Sequence, residues 1–185
     1  MKFKETSING VFIIELEPVS DDRGWFARTF CKQDFSEIGF QEEFVQINQS
    51  FNLQVGTFRG LHYQVPPKTE IKLIQCVSGS VLDIATDIRR GSPTFLKSSI
   101  VEMSAGGPNQ KLILIPAGVA HGFVTLQDNS SLIYHHTEYY SKEHDRGLRI
   151  DDPVLNIRLP VPIQVISKKD QSYELLPPDF QGVKT

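Results

Sequence analysis

The sequence has few cysteines and no long hydrophobic segment, and both absences restrict what the protein can be. Two cysteines, Cys31 and Cys76, are too few in a chain of 185 residues for a disulfide framework, which favours free thiols in a reducing compartment. The longest strongly apolar run, residues 111–116, is far shorter than the roughly 20 residues that cross a bilayer. The N-terminal residues lack the apolar stretch of a signal peptide. We therefore expect a cytoplasmic protein with no membrane partner.

Strong charge of either sign is also missing. The formal net charge is -3, with 19 Lys and Arg against 22 Asp and Glu, so the chain has no overall attraction to nucleic acid. Any phosphate group must be bound by a few local arginines. Hydrophobic residues make up 39% of the chain, which is ordinary for a folded protein and argues against disorder. With no linker or internal repeat, residues 1–185 are predicted to form a single domain.

Short segments rich in β-branched and aromatic residues recur between turn residues, as at Gly106-Gly107-Pro108-Asn109. Their spacing is typical of a sandwich or barrel. Strands are predicted at residues 10–16, 71–77, 80–87, 98–101, 111–115, 122–126 and 131–136. Only residues 32–38 and 140–146 resemble short helices. The segment after Leu159 carries four of the 11 prolines, so it is predicted to cover the surface as an irregular strap.

Two histidine motifs narrow the choice among β folds. Residues 59–64 (RGLHYQ) are followed about 50 residues later by residues 116–122 (PAGVAHG). These two motifs resemble those of the cupin jelly roll, so the sequence predicts an all-β, cupin-like jelly-roll β-barrel with a few short helices. Metal-binding cupins carry His-x-His in the first motif. Here His62 is followed by Gln64 at the second position, so we expect no metal.

Seven segments, in the same order, resemble the dTDP-4-dehydrorhamnose 3,5-epimerases. They are residues 22–26 (DRGWF), 45–48 (VQIN), 58–64 (FRGLHYQ), 72–73 (KL), 87–94 (DIRRGSPT), 115–123 (IPAGVAHGF) and 167–170 (SKKD). The resemblance implies an isomerase that uses neither a metal nor an organic cofactor. Such an enzyme inverts carbons 3 and 5 of a nucleotide-linked 4-keto sugar, converting dTDP-4-dehydro-6-deoxy-D-glucose to dTDP-4-dehydro-L-rhamnose.

Inverting a carbon beside a ketone requires a base, a group that stabilises the enolate oxygen, and an acid on the opposite face of the ring. The resemblance implies His62 as the base, since imidazole titrates near pH 7, with Asp170 on its other ring nitrogen. Lys72 is the candidate cation at the ketone oxygen, and it is expected on the strand adjoining that of His62. Tyr134 is the candidate acid, because phenol stays protonated at neutral pH.

The other candidates are substrate-binding residues. Arg23 and Arg59 offer bidentate donors for a diphosphate. By resemblance, the segment that holds Arg23 and Phe26 reaches the site of a neighbouring subunit, which implies a homodimer. The remaining predicted contacts are Gln46, Asn48, His121, Tyr140, Lys169 and Arg28.

Two departures from the family pattern leave the substrate open. Arg28 stands where family members commonly have a glutamate that contacts the base, and Ile47 replaces the aspartate of Gln-Asp-Asn. Arginine cannot accept the imino hydrogen of thymine, so another nucleotide, such as CDP, is an alternative. Further alternatives are inversion at carbon 3 alone, a sugar 3,4-ketoisomerase and a non-catalytic sugar-binding cupin. His135 and His136 point to opposite faces of a predicted strand, so they are not expected to bind one metal together.

Overall fold

The computed structural model describes residues 1–107 and 110–185, so the last two residues of the predicted turn at 106–109 lie outside the described residues. Strands account for nearly all of its regular structure. They are β1 (Lys2–Glu5), β2 (Phe12–Glu15), β3 (Val19–Asp21), β4 (Gly24–Phe26), β5 (Gln46–Asn52), β6 (Thr57–Gln64), β7 (Lys72–Ser78), β8 (Ser80–Asp87), β9 (Ser98–Ser104), β10 (Lys111–Ile115), β11 (Val119–Thr125), β12 (Ser130–His136), β13 (Asp145–Gly147) and β14 (Val165–Ile166). The helices described are α1 (Lys32–Ser36) and α2 (Lys168–Gln171).

The strands form two main sheets and one hairpin. The first sheet has the order β1-β2-β10-β7-β12-β5, and the second has the order β13-β6-β11-β8-β9, with β14 added parallel to β6. Strands β3 and β4 pair only with each other. The jumps between strands distant in sequence are those of a jelly roll, which confirms the predicted all-β fold.

Alternation along the strands divides the side chains between the inside of the barrel and its outer faces. On β8, Val81 and Ala85 belong to the inner cluster, whereas Leu82 and Ile84 face outward. On β7, the inner cluster includes Ile74 and Cys76. The same period of two places the residue two before Ile74 and the residue two after Val81 on the inner face, and these are polar residues described below.

Both outer faces are covered by other parts of the chain. The fully buried Phe35 of α1 packs with Leu73 and Leu112 on the outside of the first sheet. The C-terminal segment covers the outside of the second sheet, where Val161 and Phe180 pack in the same cluster as the outward side chains of β8. The predicted strap is therefore confirmed. Within the described ranges, no helix is long and apolar enough to span a membrane.

The helix predicted at residues 140–146 is wrong. This segment is a turn followed by β13, which pairs with β6. The side chain of Gln64 on β6 accepts a hydrogen bond from the Ser141 amide and donates to the Tyr139 carbonyl, so tertiary contacts take the backbone groups that a helix would need. Strands β5 and β6 are missing from the predicted strands, because their polar inward residues break the apolar alternation.

Two glycines of the histidine motifs are required by a close contact between strands. Strand β6 pairs with β11 so that His62 lies opposite His121, and the register shifts just after His121. A Cβ atom on Gly60 would lie 2.4 Å from the Cα of Gly122, and Gly60 has a φ of 138°. Only glycine fits this contact, which sets the two histidines side by side.

Candidate active site

All four predicted catalytic residues line one cavity of about 480 Å³. His62 enters from β6 of the second sheet, while Lys72 and Tyr134 enter from β7 and β12 of the first sheet. Asp170 is supplied by α2 in the C-terminal strap. Lys72 is thus on the next strand along the chain, but that strand belongs to the opposite sheet rather than adjoining β6. The cavity is walled by both sheets and the strap.

The predicted binding residues divide into three groups by position. Those that line the same cavity are Asn48, Arg59, His121 and Lys169. Gln46 and Tyr140 line an adjoining cavity of about 180 Å³ that also contacts His62 and Lys72. Arg23, Phe26 and Arg28 line neither cavity of their own chain.

His62 and Asp170 form a hydrogen-bonded pair, with His62 Nε2 2.7 Å from Asp170 Oδ1. Ser167 caps α2 by accepting the Asp170 amide, which holds the carboxylate in place. Burial tends to raise the pKa of Asp170, but His62, Ser167 and the Gly60 backbone together outweigh it and leave that pKa below its ordinary value. A charged Asp170 accepts the Nε2 hydrogen, so Nδ1 is the basic nitrogen of His62.

Lys72 is buried, with 7% of its surface exposed, and does not follow the usual preference of lysine for water. Its alternation with Ile74 and Cys76 directs it to the inner face of the first sheet. The ammonium lies 3.1 Å from Glu70 Oε1 and donates to the His62 carbonyl at 3.3 Å. The ammonium is therefore held between the two sheets, beside His62.

Tyr134 faces His62 from the other sheet of the barrel. Its hydroxyl lies 2.9 Å from the Ser50 hydroxyl, and its ring lies 6.2 Å from those of His121 and His136. Burial raises the pKa of Tyr134 well above its usual value, although the Ser50 hydrogen bond opposes this. The phenol therefore stays protonated at neutral pH and can donate a proton.

His121 has a buried partner that the sequence motifs do not identify. His121 Nε2 lies 2.7 Å from Asp83 Oδ2, and Asp83 is fully buried. The second oxygen, Oδ1, has no hydrogen-bond partner among the described residues. Asp83 occupies an inner position between Val81 and Ala85 on a strand that is buried along its whole length. A lone carboxylate at a core position is the sequence signal that could have found it.

Glu70 and His136 are two further residues at the site that the motifs do not single out. Both contact the smaller cavity, and His136 also lines the larger one. His136 Nδ1 lies 2.6 Å from Glu70 Oε2. His135 points the other way and packs 5.5 Å from the Phe44 ring, so the two adjacent histidines face opposite sides of β12, as expected.

The rim of the cavity carries positive charge. Arg59 is exposed and its Nε donates to the buried Asn52 side chain at 2.7 Å. Lys169 lies 2.5 Å from Asp145, which also accepts from the Tyr140 hydroxyl at 3.3 Å. Partial burial lowers the pKa of Lys169, but Asp145 and Tyr173 together outweigh it and raise that pKa overall. The two cationic side chains suit an anionic ligand.

The N-terminal hairpin projects from the barrel. The Arg23 side chain is 89% exposed and pairs with Asp21, while Phe26 is 80% exposed. Arg28, just after β4, lies 3.3 Å from Asp34 of α1. These three predicted contacts are therefore available to a molecule outside this chain.

Among the described residues, no group of three or more His, Cys, Asp or Glu side chains is arranged to hold a metal. Gln64, at the second ligand position of the metal-binding cupin motif, donates to the Lys68 and Tyr139 carbonyls. Its amide holds a loop at the rim of the smaller cavity.

Three comparisons with known proteins identify one family. A family model described as dTDP-4-dehydrorhamnose 3,5-epimerase matches residues 5–177. The dTDP-4-dehydrorhamnose 3,5-epimerase of Sinorhizobium fredii is 40% identical over 188 aligned positions, which cover 100% of this chain and 95% of the relative.

Two solved structures share the fold. The Bacillus anthracis dTDP-4-dehydrorhamnose 3,5-epimerase with TDP and PPi bound has a TM-score of 0.89 and 38% identity, covering 95% of this chain and 99% of that one. The dTDP-6-deoxy-D-glucose-3,5-epimerase of Legionella pneumophila in complex with dTDP-4-keto-L-rhamnose has a TM-score of 0.87 and 39% identity, covering 94% and 92%.

Proposed function

The chain belongs to the dTDP-4-dehydrorhamnose 3,5-epimerase family, and we propose on that basis how its cavity inverts the carbons beside a sugar ketone. The enzyme is an isomerase, and the substrate is dTDP-4-dehydro-6-deoxy-D-glucose. One observation carries the proposal. A histidine–carboxylate pair, a buried ammonium and a protonated phenol line the same cavity. These groups can serve as the base, the enolate-stabilising cation and the acid that the reaction needs.

Proton removal is assigned to His62. Its Nδ1 takes the hydrogen from the carbon beside the ketone, and the electron pair of that C–H bond moves into the enolate. Asp170, 2.7 Å from Nε2, stabilises the imidazolium that forms. A base in this position contributes about 10²–10⁴ to the rate.

Lys72 stabilises the negative charge that develops on the ketone oxygen. The ammonium is buried between the two sheets, where a charge interaction is stronger than in water. Tyr134 then donates its hydroxyl hydrogen to the carbon from the opposite face, which completes the inversion. His62 releases its proton and Tyr134 regains one, so both return to their starting states.

Substrate binding is assigned to the rim and to a second subunit. Arg59 and Lys169 bind the diphosphate, while Gln46, Asn48 and His121 contact the sugar and phosphates, and Tyr140 stacks on the base. We infer a homodimer in which Arg23, Phe26 and Arg28 extend this site from the neighbouring chain.

Exposed apolar residues support the dimer. Val19 and Phe26 of the hairpin are 75% and 80% exposed, and Ile47, Phe51 and Leu53 are exposed on or beside the edge strand β5. An edge strand with large apolar side chains is a ready contact for a second chain. The free thiols Cys31 and Cys76 fit a reducing compartment, so we place the enzyme in the cytoplasm.

Solvent deuterium tests the assignment. Incubating dTDP-4-dehydro-6-deoxy-D-glucose with the protein in D₂O should introduce deuterium at both carbon 3 and carbon 5 of the product. His62→Ala should lower both exchanges by at least about 100-fold, whereas His135→Gln, on the outer side of β12, should retain them. Label at one carbon only would indicate a monoepimerase, and no label with binding intact would indicate a sugar-binding protein.

A further inference from the structure

Glu70 and His136 lie at the active site, but the proposed chemistry uses neither of them. Their side chains are 9% and 10% exposed. Burial tends to raise the pKa of Glu70, but Lys72 and His136 outweigh it and hold that pKa below its ordinary value. Glu70 is therefore a charged carboxylate beside the cation that the reaction needs, and a buried charge must be matched by its neighbours.

The sheet register brings these groups together. His136 on β12 lies directly opposite Lys72 on β7, so both side chains point into the barrel. Glu70 lies two residues before Lys72, and its carboxylate bridges the pair. Oε1 is 3.1 Å from the Lys72 ammonium, and Oε2 is 2.6 Å from His136 Nδ1.

The hydrogen bonds of Lys72 leave one donor for the substrate. An ammonium has three N–H groups in a tetrahedral arrangement. One is directed to Glu70 and one to the His62 carbonyl, so the direction of the third is determined. A lysine side chain is otherwise flexible, and the carboxylate restricts it to one position.

His136 extends the same network to the substrate-binding strand. With its Nδ1 hydrogen donated to Glu70, His136 Nε2 accepts from the Asn48 side-chain amide at 3.3 Å. Asn48 lies on β5, the strand next to β12. One carboxylate therefore orders groups on three adjacent strands, β7, β12 and β5.

We infer that Glu70 is a positioning residue for Lys72, held in place by His136, and that it aims the ammonium at the ketone oxygen as the enolate forms. The inference rests on the proposed function. Its effect belongs to the enolate and to the transition state that leads to it, because negative charge on the oxygen develops there and is absent from the bound ketone. Removing Glu70 should therefore lower kcat far more than it changes KM.

A double-mutant cycle separates this role from a structural one. Glu70→Gln should lower kcat about 10- to 100-fold while KM changes less than about 3-fold. In a Lys72→Met background, the same Glu70→Gln change should lower kcat by less than about 2-fold, because a residue that acts through Lys72 has nothing left to position. Equal losses in both backgrounds would overturn the inference.

Two controls complete the experiment. The first is Glu138→Gln. Glu138 also pairs with a lysine, since its Oε1 lies 3.2 Å from Lys68 Nζ, but neither residue lines the two cavities. This substitution should leave kcat unchanged. Thermal unfolding checks that each variant is folded. If Glu70→Gln does not fold, His136→Gln replaces it in the cycle, with the same non-additivity expected. Absence of deuterium exchange in the wild-type protein would instead overturn the proposed function, and the inference with it.

Discussion

Three histidines at the active site are each paired with a carboxylate, and exposure distinguishes the base among them. The His62 side chain is 33% exposed, while those of His121 and His136 are 5% and 10% exposed. A base must reach the substrate carbon directly, which favours His62. The other two pairs are buried and suit positioning, since a buried histidine that bonds a carboxylate is restrained in its orientation.

A substitution of Tyr134 tests its proposed role as the acid. Tyr134→Phe removes the hydroxyl to which we assign the return of the proton, so product formation should fall about 100-fold or more. His62 can still remove and return a proton on its own side, so deuterium should enter the substrate without inversion. Proton NMR of the sugar in D₂O measures both outcomes.

The matched control is Tyr139→Phe, which removes a hydroxyl from a 60% exposed side chain and should change neither outcome. Inversion at the wild-type rate by folded Tyr134→Phe would exclude Tyr134 as the acid.

The strap and its connecting elements bring distant parts of the chain to the cavity. Strand β14 pairs in parallel with β6, with Ile166 opposite Phe58, and the capped helix α2 follows directly. Asp170 thus reaches His62 across 108 residues of sequence. An element of only four residues is enough here, because the strand pairing and the Ser167 cap fix its position.

The segment 87–94 belongs to the family pattern, but in the structure it closes a turn. The Asp87 carboxylate accepts hydrogen bonds from the Arg89, Ser92 and Thr94 side chains, and it does not line the cavity. Burial tends to raise the pKa of Asp87, but these bonds lower it to about 2. The residue types of this segment are therefore explained by hydrogen bonds that stabilise the fold.

From these hydrogen bonds we expect Asp87→Asn to destabilise the fold by an amount that depends on pH. A carboxylate whose pKa is depressed on folding stabilises the folded state above its unfolded pKa, near 3.8, and loses that effect as the pH falls towards about 2. At pH 7, Asp87→Asn should lower the free energy of unfolding by about 2 kcal/mol. Urea unfolding at several pH values should show the gap between wild type and variant narrowing below about pH 4.

Activity provides the second readout, because kcat should be unchanged in folded Asp87→Asn. Asp151→Asn is the control for stability, since the Asp151 side chain is 62% exposed and exposed ion pairs contribute little. A gap that stays constant with pH would contradict the role assigned to the Asp87 carboxylate.

In the whole molecule, the N-terminal hairpin is the part whose proposed role depends on assembly with a second subunit. In this chain the hairpin leaves Arg23 and Phe26 exposed and away from the cavity. If the hairpin completes the site of a neighbour, Arg23 and His62 of one active site come from different chains.

Mixing two inactive variants tests this arrangement. Arg23→Ala and His62→Ala subunits, each with little activity alone, should form heterodimers with one intact site and one site with both substitutions. Random exchange should then restore about a quarter of the wild-type activity. Native mass spectrometry verifies the exchange, and no recovery despite verified heterodimers would rule out a shared site.

Short-range patterns in the sequence predicted the all-β fold, helix α1 and the strap, and the resemblance to the epimerase family predicted the four residues that meet in the cavity. These features depend on local signals, namely alternation with a period of two, turn residues and short motifs such as RGLH. The predicted helix at 140–146 failed because its local propensity was outweighed by pairing with β6.

Only the tertiary structure revealed two of the histidine–carboxylate pairs that surround the predicted catalytic residues. Glu70 and His136 are separated by 66 residues, and Asp83 and His121 by 38, and no local pattern links the members of either pair. The sequence determined which chemical groups are present, because motifs specify residue types. The sheet register decided which of these groups meet inside the barrel, because a hydrogen bond depends on the separation of two side chains in space and not on their separation along the chain.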